Sequence, residues 1–219
     1  MSLFVTFEGP DGAGKSTQTG LVAERLRSAG YPVTITREPG GTPLGERIRT
    51  VLLEPGECAI VPRAEALLMT AARAQHVVKV IQPALESGAV VLCDRYIDST
   101  LAYQGAGRGL PIDELQELQR FAVSSCVPDL TFLLDMPAKD GLRRREDSGS
   151  PLNRLDRDGL AFHQRVQEWY RQAAPGDPER WLVIDALRSP DEIADEIAEE
   201  IIRRLRRRGV SAGANRKSE

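Results

Sequence analysis

The run Gly9-Pro10-Asp11-Gly12-Ala13-Gly14-Lys15-Ser16-Thr17 leaves this chain few ways to fold. It satisfies the pattern G-x-x-x-x-G-K-[ST] at every fixed position. Ahead of it lies Leu3-Phe4-Val5-Thr6-Phe7, an apolar, β-prone run. Behind it Thr17 to Ala29 reads as a helix that stops at Gly30. A strand that passes through a glycine loop into a helix cradles phosphate. The glycines permit a tight path on which successive N–H groups point at phosphate oxygens. The new helix adds its positive N-terminal end. Lys15 is expected to reach the β- and γ-phosphates, and the Ser16 hydroxyl to ligate Mg²⁺. The flanks separate this reading from that of a glycine-rich turn that binds nothing. The motif therefore implies a nucleoside triphosphate, held by residues 9–17.

Composition sets the outer limits. With 219 residues, 41% of them apolar and 28% charged, the chain suffices for one large α/β domain or two small ones with a true core. A net charge of −3 argues against a nucleic-acid partner. Cys58, Cys93 and Cys126 are widely spaced, and His76 and His163 are the two histidines, so neither a disulfide framework nor a zinc site is expected. No apolar run is long enough to span a membrane, and the chain enters a strand at once, so neither membrane nor signal peptide is expected. The cytoplasm is the simplest compartment.

Taken in order, residues 3–8 read as a strand buried on both faces. Helix 15–29, strand 33–36, a turn-rich loop at 37–43 and helix 44–53 follow. A long helical pattern runs from Pro62 to Ser87, with a kink expected at Pro83. Ala89 to Cys93 is a buried strand ending at Asp94-Arg95. Residues 97–104 read as a short helix, 105–109 as a glycine-rich turn, 112–124 as a helix and 130–134 as a strand ending at Asp135. A helix opens at Lys139, breaks at Ser148-Gly149-Ser150-Pro151 and resumes near Asp156. A last strand at 181–184 precedes helix 190–207, whose Ile193, Ile197, Ile201 and Leu205 form one stripe. Strands alternating with helices predict a three-layer α/β/α fold with a parallel central sheet. Ligands bind such sheets at the strands' C-terminal ends, which here carry the phosphate loop, Arg37, Asp94-Arg95 and Asp135. One domain over 1–208 is expected, with a lid at about 143–157 and a disordered tail over 209–219.

The phosphate loop alone does not choose among kinase, GTPase and transporter. No Asn-Lys-x-Asp and no Leu-Ser-Gly-Gly-Gln run occurs, which disfavours the last two. Arg37, Arg73 and Arg95 form a second set of anion binders, suited to a second phosphate-bearing ligand. Each alone also reads as a surface ion pair. Asp94 follows a buried strand beside the phosphate loop and is a candidate for orienting Mg²⁺ or its waters. Asp135 ends its strand in the same way, and a polar strand terminus explains it equally.

Beyond single residues, the order and spacing of several segments resemble the thymidylate kinase family. They are Gly9 to Thr17, Thr36-Arg37-Glu38-Pro39-Gly40-Gly41-Thr42, Ala71-Ala72-Arg73-Ala74-Gln75, Asp94-Arg95-Tyr96, and Ser99-Thr100-Leu101-Ala102-Tyr103-Gln104-Gly105. Pro128-Asp129-Leu130-Thr131 and Asp185-Ala186 fit as well. The likeness covers residues 3 to about 207. It implies a P-loop kinase fold, transfer of the ATP γ-phosphate to dTMP with Mg²⁺, and a homodimer. By resemblance, Asp11 lies near the dTMP 3′-hydroxyl and the metal, so Asp11, Ser16 and Asp94 make up the expected metal set. Arg95 grips the dTMP phosphate, and Arg37 stands near it. Arg73 contacts the thymine edge, and Tyr103 packs against the deoxyribose where a 2′-hydroxyl would crowd it. Ser99, Thr100 and Gln104 belong to the same pocket. Met69 stands where many relatives carry a phenylalanine over the base, and Asn153-Arg154 stands where relatives often carry Asp-Arg. A thioether packs on a ring face without aromatic stacking.

Arg143, Arg144, Arg145, Arg154, Arg157 and Arg165 cluster around the Gly/Ser/Pro break. They read as a solvated basic face, an RNA patch or a catalytic lid. In the family one branch carries an arginine at the position of Gly12, so a lid arginine is the natural complement here. An arginine facing the transferring phosphoryl group accelerates transfer by orders of magnitude. Arg154 is the first candidate, with Arg145 and Arg157 as rivals, and Arg144 is a candidate for stacking on adenine. Lys15, Asp11, Arg95, Arg154 and Arg145 thus form the expected catalytic set. The competing readings are a P-loop kinase for another nucleotide or deoxynucleoside, and a P-loop regulatory or RNA-associated protein.

Overall fold

Five parallel strands form the centre of the molecule. They are β1 (Leu3–Glu8), β2 (Val33–Arg37), β3 (Val90–Asp94), β4 (Leu130–Asp135) and β5 (Trp181–Asp185), in the order β2-β3-β1-β4-β5. This is a computed structural model, which describes residues 2–54, 59–149 and 152–209. Cys58, the Ser150-Pro151 part of the lid break and the tail beyond Gly209 lie outside the described residues. All six residues of β1 are buried, as are Val90 to Cys93 and Leu130 to Leu134. Continuous apolar runs of this kind suit central parallel strands covered on both faces.

The strand register gathers chemistry at one edge. Phe7 lies opposite Asp94, and Arg37 lies opposite Asp94 from the other side. Connections from β1 run first toward β2 and β3, then across to β4 and β5, so the strand order reverses beside β1. That reversal opens a crevice at the strands' C-terminal ends.

Helices cover both faces. Leu3, Val5 and Phe7 of β1 point toward α1 (Lys15–Ser28) and α9 (Pro190–Arg207), where they join Val22, Leu26, Ile193, Ile197, Ile201 and Leu205. The expected stripe on α9 is thus the inner face of that layer. Ser189 and Glu192 close a reciprocal cap at the start of α9, with Pro190 in its first turn. On the opposite face Phe4 packs with Val77, Ile81 and Val123. Leu133 packs there with Phe162, Val166 and Tyr170 of α8 (Leu160–Ala173). The other α-helices among the described residues are α2 (Pro43–Leu53), α3 (Pro62–His76), α4 (Gln82–Glu86), α5 (Ile97–Thr100), α6 (Ile112–Val123) and α7 (Ala138–Asp147).

Three local expectations are corrected. Pro83 does not kink one long helix. A π-helical turn at Val77–Ile81 joins α3 to α4, with the Gln82 N–H donating five residues back to Val77 O. The widened turn accommodates the N–H that proline lacks and its clash with the preceding turn. Residues 105–107 are no turn, because a second π-helical segment runs over Leu101–Gly107. A Cβ on Gly107 would come 2.5 Å from Phe162 Cε2, so that glycine serves close packing. Finally, α8 begins at Leu160 rather than near Asp156. The side chains of Asn153 and Asp156 bond the backbone N–H groups of Leu155, Asp156 and Asn153, and thereby compete with helix formation.

Glu8, at the end of β1, is fully buried, and three donors hold it. Tyr96 N donates to Oε1 at 2.8 Å, while Ser99 Oγ and Tyr170 Oη donate to Oε2 at 2.6 and 2.7 Å. Burial, and then the charge of Asp98, push its pKa up to about 7. A carboxyl raised above its unfolded value binds its proton more tightly in the folded state. Stability from this group is complete below the unfolded pKa of 4.5 and is lost as pH rises through about 7.

Two stability predictions follow from these features. Ile197→Ala, at a site with no exposure, should cost about 2–5 kcal/mol in denaturant unfolding. Wild-type stability should fall between pH 4.5 and 7, with a slope approaching ~1.4 kcal/mol per pH unit, and Glu8→Gln should flatten that fall. A wild-type stability profile that stays level across this window would show that Glu8 takes up no proton on folding.

Candidate active site

Two cavities open at the C-terminal edge of the sheet. The first is lined by the phosphate loop, Ser16, Asp94 and the α7 arginines. The second is lined by Leu53, Met69, Arg73, Thr100, Tyr103 and Gln104. Asp11, Glu38, Arg49, Arg95 and Asn153 line both, so the cavities meet at these residues.

The phosphate loop joins β1 to α1 as expected. Gly9 and Gly12 have φ of +136° and +78°. A Cβ on Gly12 would come 2.0 Å from Gly141 O on α7, so the loop and α7 approach as closely as backbone allows. Ala13 N donates to Pro10 O at 3.3 Å, and Gly14 ends the loop in the left-handed region before α1. Lys15 Nζ folds back across the loop onto Gly9 O and Pro10 O at 3.0 and 2.7 Å. Burial, then the neighbouring Arg95, lower its pKa to about 8. Ser16 Oγ donates to Asp94 Oδ2 at 2.5 Å, and Thr17 lines the same cavity. Ser16 and Asp94 therefore offer two hard oxygen donors side by side. Mg²⁺ suits such a site, because it binds through one or two protein oxygens and keeps water and phosphate for the rest.

Arg95 occupies the junction. Its backbone is left-handed, with φ of +70°, a strained state for a residue with a Cβ. Its Nη1 reaches Gly9 O and Ser99 Oγ, both at 3.2 Å. Its Nη2 reaches Asp11 Oδ1 at 2.6 Å and Tyr103 Oη at 2.8 Å. The guanidinium also lies over the Tyr103 ring, 4.7 Å from its centre. Tyr103 Oη donates to Asp11 Oδ2 at 2.7 Å, closing a triangle of Asp11, Arg95 and Tyr103. Burial acts to raise the pKa of Asp11, but Arg95 and Lys15 outweigh it and hold the carboxyl at about 2.

The second cavity is part apolar and part polar. Met69, Leu53 and Leu155 give it apolar wall. Arg73 is almost wholly buried. Its Nε bonds Glu38 Oε2 at 2.6 Å, Nη1 bonds Thr100 Oγ1 at 2.9 Å and Gln119 Oε1, and Nη2 bonds Tyr96 O at 2.9 Å. His76 and Thr36 brace Glu38 from behind. Arg37 is half exposed at the rim of the first cavity and pairs with Glu46. Asp135, by contrast, is paired with Arg171 and lines neither cavity.

The arginines expected to form a lid divide. Arg144 and Arg145 line the first cavity. Arg144 Nη1 donates to Ala186 O at 3.0 Å, and Arg145 Nε donates to Asp156 Oδ2 at 3.1 Å. Arg154 is drawn elsewhere. Its Nε bonds Leu52 O at 2.8 Å and its Nη2 bonds the buried Glu65, so it lines neither cavity. Arg157 is exposed. Asn153, in place of aspartate, accepts the Leu155 and Asp156 amides at 2.8 and 3.0 Å, a task its oxygen does as well as a carboxylate.

Sequence reasoning missed Arg49, Glu8 and Glu65. Arg49 lines both cavities and donates to Pro39 O at 2.9 Å. It stands on α2 as an ordinary polar residue, outside every motif. Glu65 carried no signal beyond its place in the first turn of a helix.

The comparisons agree with this geometry. A family model described as thymidylate kinase matches residues 7–197. A thymidylate kinase of Thermomicrobium roseum is 60% identical over 195 residues, 89% of this chain and 92% of that relative. One of Deinococcus radiodurans is 51% identical over 191 residues, 87% of this chain and 92% of that relative. The crystal structure of thymidylate kinase from Ehrlichia chaffeensis aligns with a TM-score of 0.71 at 34% identity, over 93% of this chain and 98% of its own. A phosphate loop facing a second, arginine-edged cavity across Arg95, on a chain matched over nearly its whole length, means that this protein belongs to the thymidylate kinase family.

Proposed function

We propose that the chain transfers the γ-phosphate of ATP to dTMP, giving dTDP and ADP. The observation that carries this reading is the meeting of the two cavities at Asp11 and Arg95. ATP phosphates occupy the phosphate loop, held by its N–H groups and by Lys15. dTMP enters the second cavity, with its base beside Met69, Arg73, Thr100 and Gln104. Its phosphate turns toward Arg95 and Arg37, with Ser99 fixing Arg95 from behind. An oxygen of that phosphate then faces the γ-phosphorus in line, bonds to it, and the bond to the β,γ-bridging oxygen breaks. Tyr103, held by Asp11 and Arg95, fills the space beside the sugar and selects against a 2′-hydroxyl.

Ser16 and Asp94, with Asp11 near, would hold Mg²⁺, which on binding neutralises charge on the phosphates. Arg145, which lines the phosphate cavity with Arg144, is the lid cation assigned to the transferring group, and Arg144 is assigned to adenine. Arg154 serves the lid differently, by tying its stem to Glu65. The lid at about 143–157 closes on ATP and opens for release, within one domain over 1–208. A homodimer is the proposed assembly, and the exposed apolar Leu67, Val78 and Phe121 on α3, the π-helical turn and α6 are its candidate contacts. Among the described residues no helix is long and apolar enough to cross a membrane. The cytoplasm, which supplies ATP and keeps thiols such as Cys93 and Cys126 reduced, is the proposed compartment.

Steady-state kinetics with ATP and dTMP, paired with equilibrium binding, test these roles. Lys15→Ala should abolish transfer in a folded protein, and substantial turnover would sink the assignment. Arg95→Ala should raise the KM for dTMP. Arg145→Ala should lower kcat by on the order of a hundredfold or more with little change in binding, whereas Arg154→Ala should act more weakly. Equal losses at both positions, or the larger loss at Arg154, would reverse the lid assignment.

Met69→Phe should tighten dTMP binding by roughly 0.5–1.5 kcal/mol if the ring reaches the base. A raised KM for dTMP at unchanged stability would put Met69 away from it.

A further inference from the structure

Glu65, on α3, is wholly buried, and the transfer described above does not use it. Its carboxylate is nonetheless a meeting point. Gln104 Nε2 donates to Oε1 at 2.8 Å. Arg108 reaches both oxygens at 3.4 Å, and Arg154 Nη2 donates to Oε2. Arg108 is braced in turn by Asp158, at 2.8 and 2.7 Å, and lies over the Phe162 ring at 4.6 Å. Two arginines on separate segments therefore hold this carboxylate in one position.

A carboxylate offers only acceptors, whereas a glutamine amide offers an acceptor at one end and donors at the other. Gln104 lines the base cavity and is itself almost wholly buried. With Glu65 behind it, its NH₂ group must turn backward. Oε1 is then the atom that the amide offers to the cavity, and among the described residues no group donates to it. Arg73, on the same cavity wall, offers only donors. One acceptor and one donor suit a pyrimidine with N3–H beside a carbonyl, as in thymine or uracil. Cytosine reverses both positions, setting its bare N3 against the amide oxygen and its amino group against the guanidinium.

We propose that Glu65 is a positioning residue that sets base specificity: by accepting from Gln104 Nε2, it turns the amide oxygen into the cavity and selects an N3–H pyrimidine over cytosine. The assignment rests on the reading of the second cavity as the nucleotide acceptor site. Substrate choice is thereby written one layer behind the residue that touches the base.

The test compares dTMP with dCMP, by kcat/KM with ATP and by equilibrium binding, in wild type, Glu65→Gln, Gln104→Met and the double variant. Glu65→Gln keeps the volume but can donate to Gln104, which frees the amide to turn over. The dTMP-to-dCMP ratio should fall on the order of tenfold in Glu65→Gln, through dTMP binding and not through the KM for ATP. Gln104→Met should lower it at least as far, and the double variant no further. A wild-type ratio in Glu65→Gln, or an equal loss for both nucleotides, overturns the proposal. If Glu65→Gln does not fold, Gln104→Met alone overturns it by leaving the ratio unchanged. A wild-type protein that neither binds nor phosphorylates dTMP fails at the earlier step, the acceptor reading itself.

Discussion

Arg95 is a cation held at the junction of two cavities by groups from three parts of the chain. The phosphate loop supplies Gly9 O and Asp11, α5 supplies Ser99, and the π-helical segment after it supplies Tyr103. A half-buried guanidinium gains from such partners, because an unpaired charge partly withdrawn from water is costly. The demand works in both directions. Arg95 keeps Asp11 ionised, and Asp11 with Tyr103 holds Arg95 at the junction of the two cavities. The left-handed backbone at Arg95 is the cost of bringing the side chain there from the end of β3.

Three buried glutamates, Glu8, Glu38 and Glu65, hold side chains that line the cavities, and Glu38 lines both cavities itself. Glu8 receives Ser99, which in turn receives Arg95. Glu38 receives Arg73, and Glu65 receives Gln104. Each carboxyl oxygen that accepts a hydrogen bond fixes the orientation of the side chain that donates it. A parallel sheet makes this layering possible. Its C-terminal edge exposes strand ends from β1, β2 and β3 at one level, and the helices packed behind supply the second layer. Orientation comes from a rigid interior, and the cavity walls inherit it.

Arg144, Arg145 and Arg154 illustrate how packing distributes like charges. Arg144 and Arg145 stand on α7, which touches the phosphate loop through glycine on both sides, at Gly12 and Gly141. That contact delivers both guanidinium groups to the phosphate cavity. Arg154, equally basic and equally near the break in sequence, is drawn to a carboxylate that has no exposure of its own. Glu65 holds Arg154 together with Arg108, because a buried carboxylate has the most to lose from lacking partners.

The phosphate loop, the buried strands, the α9 stripe and the parallel architecture were all legible along the chain, since each depends on neighbours within a few residues. The motifs around Arg37, Arg73, Arg95 and Tyr103 were legible for the same reason, and they pointed to one edge of the sheet. The π-helical turn before Pro83 was not, because a proline's clash can be relieved by bending or by widening, and packing of Val77 and Ile81 against β3 selects between them. Nor were the roles of Glu8, Glu65 and Arg49, which stand outside every motif. Glu65 meets Arg154 across 89 positions of sequence, and Glu8 meets Tyr170 across 162. Local pattern fixes which surfaces are apolar and where phosphate is cradled. Which charges share an interior is decided only when distant segments pack, because the partner of a buried charge is whatever the closed fold brings within hydrogen-bond reach.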